Sequence, residues 1–177
     1  MFHGLNSHMG HGAHMAHHFS RSGLVTVGFD YRGFGRSEGR GGYIEDIEAH
    51  LADSREFLKI VMPMYKELPK FALGLSLGGL TSYYLTLADP KLVDGAILMA
   101  PAIMNSKAGL LGDIGKFGIK VGLRIAKFMP EKLRLRKPLY GQASKNPEIT
   151  DFVKNDPYAF ADRMSLSTLE MLGIAMM

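Results

Sequence analysis

Short apolar runs alternate with amphipathic stretches along the first hundred residues of the chain. Three apolar runs have the length and composition of strands buried in a parallel sheet: residues 24–30, 70–73 and 94–100. Three other stretches have the apolar spacing and the end signals of helices: residues 10–22, 43–62 and 79–88. Each strand follows a helix, so the pattern predicts an α/β fold in which helices cover both faces of a parallel sheet.

The pattern changes after Pro101. Residues 105–137 contain nine lysines and arginines but only two acidic residues. An apolar stripe recurs there at helical spacing: Ile114, Phe117, Val121, Ile125 and Phe128. A basic stripe runs beside it: Lys116, Lys120, Arg124 and Lys127. Because no strand pattern returns, residues 102–164 are predicted to form an inserted, mostly helical cap.

The cap stripe has two interpretations. In the first, its apolar face packs on the protein core and its lysines are solvated. In the second, residues 107–137 lie on an anionic membrane surface as an interfacial helix and feed lipid to the core. Nucleic acid is not a predicted partner, because the basic stretch lacks the interleaved aromatic residues that stack on bases.

Composition limits the remaining classes. The 177 residues suffice for one domain with a core, and 46% of them are hydrophobic. The absence of cysteine excludes disulfides, thiol catalysis and cysteine-ligated zinc. The net charge of +4 is modest. No apolar run is as long as a membrane span, and the first residues lack the basic and apolar regions of a signal peptide. We predict a cytoplasmic protein, with membrane association as an open alternative.

The sequence from Gly74 to Gly78 carries the strongest chemical signal. It reads Gly-Leu-Ser-Leu-Gly and stands between a predicted strand and a predicted helix. This G-x-S-x-G pattern is typical of a nucleophile elbow, a sharp turn that exposes the hydroxyl of its serine, here Ser76. The two glycines are needed because a Cβ atom would clash across so tight a turn.

Two further segments follow predicted strands. His3 and Gly4 end a strand ahead of the first helix, and residues 30–37 form a glycine-rich loop. We interpret the loop as structural, with Asp30 and its arginines tying it down. An oxyanion hole needs two convergent backbone N–H groups. The loop after His3-Gly4 is a candidate source of one of them.

These three motifs together resemble the α/β-hydrolase superfamily, in its monoacylglycerol lipase and lysophospholipase-like branch, also described as the serine aminopeptidase S33 type. The resemblance covers residues 2–101 best. It implies an α/β-hydrolase core over 1–101, a helical cap over 102–164, and a return to the core over 165–177. The chain starts at residues 1–4 in the middle of a recognisable motif and stops at residues 171–177 without a terminating signal. We therefore expect a piece of a larger domain.

The resemblance also implies site roles. Ser76 would be the nucleophile, and the N–H groups of Leu5 and Leu77 would bind the oxyanion. His3, Gly4, His8, Gly74 and Gly78 would support the loops. The family's triad acid and histidine would follow the cap. The last histidine of the chain is His50, so neither is assigned and both are expected beyond Met177.

Histidines crowd the amino-terminal region, six of them within the first 18 residues. Their spacing could place several on one helical face, as a metal site requires. We predict no metal and no cofactor, because no carboxylate stands nearby in the sequence. His3 and His8 are assigned to the oxyanion loop, and the other histidines of this region are predicted to be solvated.

The predicted function is hydrolysis of lipid-like carboxylic esters, monoacylglycerol or lysophospholipid, through an acyl-enzyme on Ser76. The apolar stripe of the cap favours an acyl chain over a small polar substrate. The alternative is a protein that keeps this fold as a non-catalytic binding or assembly module. The oligomeric state has no signal in the sequence.

Overall fold

The computed structural model describes residues 1–103, 134–135, 144–160, 164–165 and 168. The helices are α1 (Ala13–Arg21), α2 (Ile47–Val61), α3 (Leu77–Ala88) and α4 (Pro147–Asn155). Single 3₁₀ turns precede α1 and follow α2, at Met9–Gly12 and Met62–Tyr65. The strands are β1 (Phe71–Leu75), β2 (Gly95–Met99), β3 (Arg134–Leu135) and β4 (Met164–Ser165).

The central sheet is parallel, as predicted. β1 pairs with β2 from Phe71 opposite Gly95 to Leu75 opposite Met99. On the other side of β1, Phe2 forms an isolated parallel bridge with Gly74. The N–H of Phe2 donates to the carbonyl of Leu73 at 2.8 Å. The segment that leads to His3 therefore lies directly beside the strand that leads to Ser76.

The core lies where α3 packs on this sheet and against α2. Buried apolar side chains come from the amino terminus, the glycine-rich loop and both helices: Phe2, Tyr31, Phe34, Ile44, Leu51, Leu77, Leu80 and Leu85. α3 contributes three of these and also buries Thr81 and Ser82 completely. Burial is continuous from Leu77 to Ser82, in the first half of the helix, whereas Tyr83 and Leu87 in the second half are exposed.

Helix α2 begins four residues later than predicted. The pattern placed its start at residue 43, but Asp46 adopts an extended conformation and caps the helix. Its carboxylate accepts a hydrogen bond from the N–H of Ala49 at 2.8 Å, which satisfies a free donor of the first turn. The inner face also contains two polar residues that apolar spacing does not reveal, His50 and Ser54.

The prediction of a buried strand over residues 24–30 is wrong. The segment carries no strand pairing, and Leu24 and Val25 are more than half exposed. A strand forms only against a neighbouring backbone that completes its ladder. Here the Met1 amino group donates to the carbonyl of Val27 at 2.6 Å, and one such bond does not make a ladder.

The cap is described only in part. The apolar and basic stripes between residues 114 and 128 lie outside the described residues, so the domain boundaries at 101 and 164 remain predictions. The expectation that no strand returns before 164 is wrong, because β3 and β4 form a short antiparallel pair. α4 begins after Asn146, whose side chain caps it, and Pro147 takes the first helical position.

Segment 144–160 contacts the amino-terminal part of the chain. The N–H of Phe160 donates to the carbonyl of Asn6 at 3.1 Å, and its ring meets Phe34 edge-on.

Across the described ranges, no helix combines the length and apolar character needed to cross a bilayer.

Candidate active site

Ser76 occupies the turn between β1 and α3. Its backbone has φ 53° and ψ −112°, a left-handed conformation that non-glycine residues rarely adopt. Such a conformation costs about 1–3 kcal/mol and persists only where the surroundings enforce it. Three backbone hydrogen bonds do so, because the Ser76 N–H donates to the Met99 carbonyl and the Ser76 carbonyl accepts from the N–H groups of Leu80 and Ala102. The strained turn predicted from the elbow motif is therefore present.

The flanking glycines are required by backbone contacts on both sides of the turn. A Cβ on Gly74 would lie 2.0 Å from the carbonyl oxygen of Gly78. A Cβ on Gly78 would lie 2.1 Å from the carbonyl oxygen of Phe2. These contacts bring the first turn of α3 against both β1 and the amino-terminal segment.

The loop after Phe2 lies against Ser76. A Cβ placed on Gly4 would stand 3.7 Å from the Cβ of Ser76. His3 fixes this loop from beneath: its Nδ1–H donates to the Gly4 carbonyl at 2.8 Å. Its Nε2 accepts from the N–H of Tyr31 at 3.0 Å. A donor on one nitrogen and an acceptor on the other define the neutral tautomer.

The two amides assigned to the oxyanion hole flank Ser76. Leu77 is the first residue of α3, whose initial N–H groups have no partner within the helix. Leu5 follows Gly4, which lies beside Ser76. The role of these two N–H groups in binding an oxyanion stays a prediction.

A buried polar chain supports the first turn of α3 from α2. The Thr81 hydroxyl donates to the carbonyl of Leu77 at 2.9 Å. It accepts from the Nε2–H of His50 at 2.8 Å. His50 therefore belongs to the scaffold beneath Leu77, and its ring also meets Tyr31 edge-on. Sequence spacing could not reveal this link, because a histidine within a helical repeat is indistinguishable from a solvated one.

The comparison with protein families decides the classification. The model described as "Serine aminopeptidase, S33" matches residues 1–177. The chain belongs to this family. The resemblance stated on the three motifs is thereby confirmed.

Relatives of this S33 family member include lipases and an esterase. A monoacylglycerol lipase from Mycolicibacterium smegmatis is 27% identical over 155 residues, 88% of this chain and 53% of that protein. A monoglyceride lipase from Rattus norvegicus is 30% identical over 156 residues, 88% and 50% of the two chains. A caffeoylshikimate esterase from Arabidopsis thaliana is 29% identical over 164 residues, 87% and 47%. The chain spans about half the length of these curated relatives.

Solved structures confirm the fold. A soluble variant of the Saccharomyces cerevisiae monoglyceride lipase, solved with a substrate analog, superposes with a TM-score of 0.77 at 21% identity. The match covers 99% of this chain and 57% of that one. The Paleococcus ferrophilus monoacylglycerol lipase gives 0.71 at 23% identity, covering 98% and 65%. The predicted class, an incomplete α/β-hydrolase fold, is confirmed.

The glycine-rich loop of the S33 chain is held as predicted. One carboxylate oxygen of Asp30 accepts from the N–H of Met9 at 2.7 Å. The other accepts from the N–H of Arg36 at 2.9 Å. Arg32 forms an ion pair with Asp53 on α2. Asp30 thus joins the loop to the 3₁₀ turn before α1, which supports its structural interpretation.

No metal site was predicted because the histidines have no carboxylate near them in the sequence, but in the structure a carboxylate lies beside two of them. Asp156 lies 148 residues from His8 in the sequence, yet its carboxylate meets the side chains of both His8 and His11. His11 is half-buried, which also contradicts its predicted solvation, whereas His14, His17 and His18 are exposed as expected. Only tertiary structure brings this carboxylate to the histidines.

Asn6 is a site residue that sequence reasoning missed. It follows Leu5, has φ 57° and is buried, and its side-chain amide has no hydrogen-bond partner among the residues that the structure describes. Buried amides in proteins are nearly always hydrogen-bonded. This amide is therefore available to a bound molecule or an ordered water beside the Gly4 loop. The signal in the sequence was an asparagine at a turn position, which is too common to single out.

An apolar hollow of about 500 Å³ lies away from Ser76. It runs along the amino-terminal half of β1 and is lined by side chains such as Phe19, Leu24, Phe57 and Leu73. Neither Ser76, Leu5 nor Leu77 borders it. The hollow is consequently not part of the candidate active site.

The two buried histidines predict how stability depends on pH. Burial lowers the pKa of His3 and of His50 to about 4, from an ordinary value of 6.5. Both rings stay neutral in the folded chain, while the unfolded chain takes up protons below pH 6.5. The free energy of unfolding should therefore fall as the pH drops from 6.5 towards 4. Each ring contributes at most about 1.4 kcal/mol per pH unit.

Urea unfolding at several pH values measures this slope. The His50→Gln variant replaces the Nε2–H donor with an amide that does not titrate, and it should flatten the slope between pH 6.5 and 4.5 by about half. His14→Gln, on the exposed face of α1, should leave the slope unchanged. A wild-type stability that is flat over this range would contradict the expectation.

Proposed function

We propose that this chain is part of a serine hydrolase that cleaves carboxylic esters of lipid-like substrates. The observation that carries the proposal is Ser76, held at φ 53° between β1 and α3 with the Gly4 loop against it. Relatives named as monoacylglycerol and monoglyceride lipases support the substrate class. Monoacylglycerol and lysophospholipid are the two substrates proposed.

In the proposed mechanism, the Ser76 oxygen attacks the ester carbonyl and passes its proton to a histidine base. The carbonyl oxygen becomes an oxyanion, which the N–H groups of Leu5 and Leu77 stabilise. The alcohol leaves with that proton, and Ser76 retains the acyl group as an ester. Water then attacks the acyl-enzyme and releases the fatty acid. His3 and His50 are not this base in the proposal, because each ring is buried and engaged in scaffold bonds.

The test compares three esters with the natural protein that contains these residues. Initial rates are measured on a long-chain monoacylglycerol, a lysophosphatidylcholine and a short-chain p-nitrophenyl ester. A higher kcat/KM for either lipid than for the short ester supports the proposal. Preference for the short ester would contradict the lipid class. No hydrolysis by folded protein would favour the alternative of a non-catalytic binding module.

Membrane contact through residues 107–137 is a second proposal, and it rests on the sequence because the stripes lie outside the described residues. Four cations stand beside an apolar stripe of helical spacing, and each contributes about 1 kcal/mol near an anionic leaflet. We expect co-sedimentation with vesicles containing phosphatidylserine, weaker binding to phosphatidylcholine alone, and weakening by salt.

The matched variant for this proposal changes four residues to glutamine: Lys116, Lys120, Arg124 and Lys127. It should lose most of the binding to anionic vesicles while its secondary structure, measured by circular dichroism, is unchanged. Equal and negligible co-sedimentation of both proteins with anionic vesicles would contradict the membrane proposal. The stripe would then be assigned to packing on the core.

A further inference from the structure

Two histidines and a carboxylate converge between the amino-terminal loop and segment 144–160. The Nε2 atom of His8 lies 2.8 Å from Oδ2 of Asp156, and that of His11 lies 2.9 Å from the same oxygen. The three ligand atoms all fall within 4.8 Å of one another. The side chains of His8, His11 and Asp156 are 13%, 17% and 10% exposed. The cluster is thus shielded but open to small ions from solvent.

The surroundings hold each of these side chains in place. The Ser7 hydroxyl lies 2.8 Å from Nδ1 of His11, and the Phe152 ring stands against the same imidazole. The other carboxylate oxygen of Asp156 accepts from the N–H of Tyr158 at 2.8 Å. Hydrogen bonds to the far side of a ligand orient it towards a metal. The three donor atoms are therefore preorganised.

We propose that His8, His11 and Asp156 form a binding site for a divalent transition-metal ion of the zinc class. Two imidazole nitrogens and one carboxylate oxygen are donors that ions of the zinc class prefer. Calcium and magnesium favour sites with oxygen ligands alone. Among the described residues the group has three members, so water would complete the coordination. Such a three-ligand set leaves an open position on the ion.

The spacing requires only a small adjustment. Tetrahedral zinc, with bonds of about 2.0–2.2 Å, places its ligand atoms about 3.3 Å apart. The present separations of 2.8 and 2.9 Å would each grow by about 0.5 Å. A rotation of the Asp156 side chain would change both separations together, because the two rings meet the same oxygen, Oδ2.

Proton positions give the site a specific signature. The Gly10 N–H donates to Nδ1 of His8 at 3.1 Å, so the proton of that neutral ring is on Nε2 and points at Asp156. Metal binding at Nε2 moves this proton to Nδ1, where it faces the Gly10 N–H and breaks that bond. In His11 the corresponding proton can be donated to the Ser7 hydroxyl. Zinc should therefore change the environment of the Gly10 amide.

The experiment measures zinc binding to the chelator-treated natural protein that contains these residues by isothermal titration calorimetry. Wild type should bind one Zn²⁺ ion per chain at this site. Asp156→Asn and His11→Gln should each weaken that binding at least tenfold. The matched control changes His14, His17 and His18 to glutamine, because these exposed histidines of α1 are the competing ligands. It should bind as wild type does.

Two spectroscopic readouts locate the ion without reference to activity. Co²⁺ in place of Zn²⁺ should give visible absorption that Asp156→Asn removes. The amide resonance of Gly10 should shift with zinc and not with Mg²⁺. Loss of binding in the triple control, unchanged binding in Asp156→Asn and His11→Gln, or no binding by wild type would each overturn the proposal. It does not depend on the proposed hydrolase activity.

Discussion

Replacement of Ser76 by alanine is expected to lower kcat/KM for ester hydrolysis by about 10³-fold or more in the natural protein. The substitution removes the oxygen that would form the acyl-enzyme. Labelling by a fluorophosphonate probe should disappear at the same time. Rates are measured with a monoacylglycerol substrate under conditions in which both proteins are folded.

The matched control is Ser82→Ala on α3, the helix that follows Ser76. Ser82 is completely buried, and its hydroxyl has no hydrogen-bond partner in the part of the chain that the structure describes. Its loss should change neither hydrolysis nor probe labelling, and it should affect stability little. Hydrolysis that survives in Ser76→Ala and falls in Ser82→Ala would overturn the elbow assignment.

Gly74→Ala is expected to cause a large loss of stability, about 4 kcal/mol or more, which is a large fraction of the stability of a typical domain. The added Cβ would stand 2.0 Å from the Gly78 carbonyl oxygen and 2.6 Å from the Gly79 nitrogen. These are backbone atoms of the first turn of α3, so no side chain can move aside to relieve the clash. Urea denaturation followed by circular dichroism measures the effect.

Gly4→Ala is the matched control for this substitution. Its Cβ would meet its nearest atoms at 3.5 and 3.7 Å, which are ordinary contacts. We expect its free energy of unfolding to remain within about 1 kcal/mol of wild type. Equal stability of Gly74→Ala and wild type would show that the turn tolerates a side chain, contrary to the packing described here.

The sequence was most informative where neighbouring residues along the chain make the structure. The elbow is local: an apolar run, two glycines and a helical stretch specify the turn around Ser76, and the structure has it. The start of α2 is local too, but the apolar spacing extends through Ile44 while the Asp46 cap decides the boundary. Weighing the cap above the spacing would have found it.

Features that depend on distant partners could not be predicted. The run at 24–30 has the composition of a strand, but a strand also requires a partner backbone, which its own residues do not specify. Asp156 reaches His8 across 148 residues, and neither residue has a signal that names the other. His50 shows the same limit, because its burial depends on the Thr81 hydroxyl of a different helix.

The bridge between Phe2 and Gly74 has a consequence for synthesis on the ribosome. Phe2 and His3 leave the ribosome before the strand and glycines that cover them, which lie about 72 residues later in the sequence. At 5–20 residues per second, that interval is roughly 4–14 s. During this time the loop beside the future Ser76 has no surface to pack on. Chaperones that shield apolar segments near the exit tunnel would therefore encounter Phe2 and the loop after it before the elbow exists.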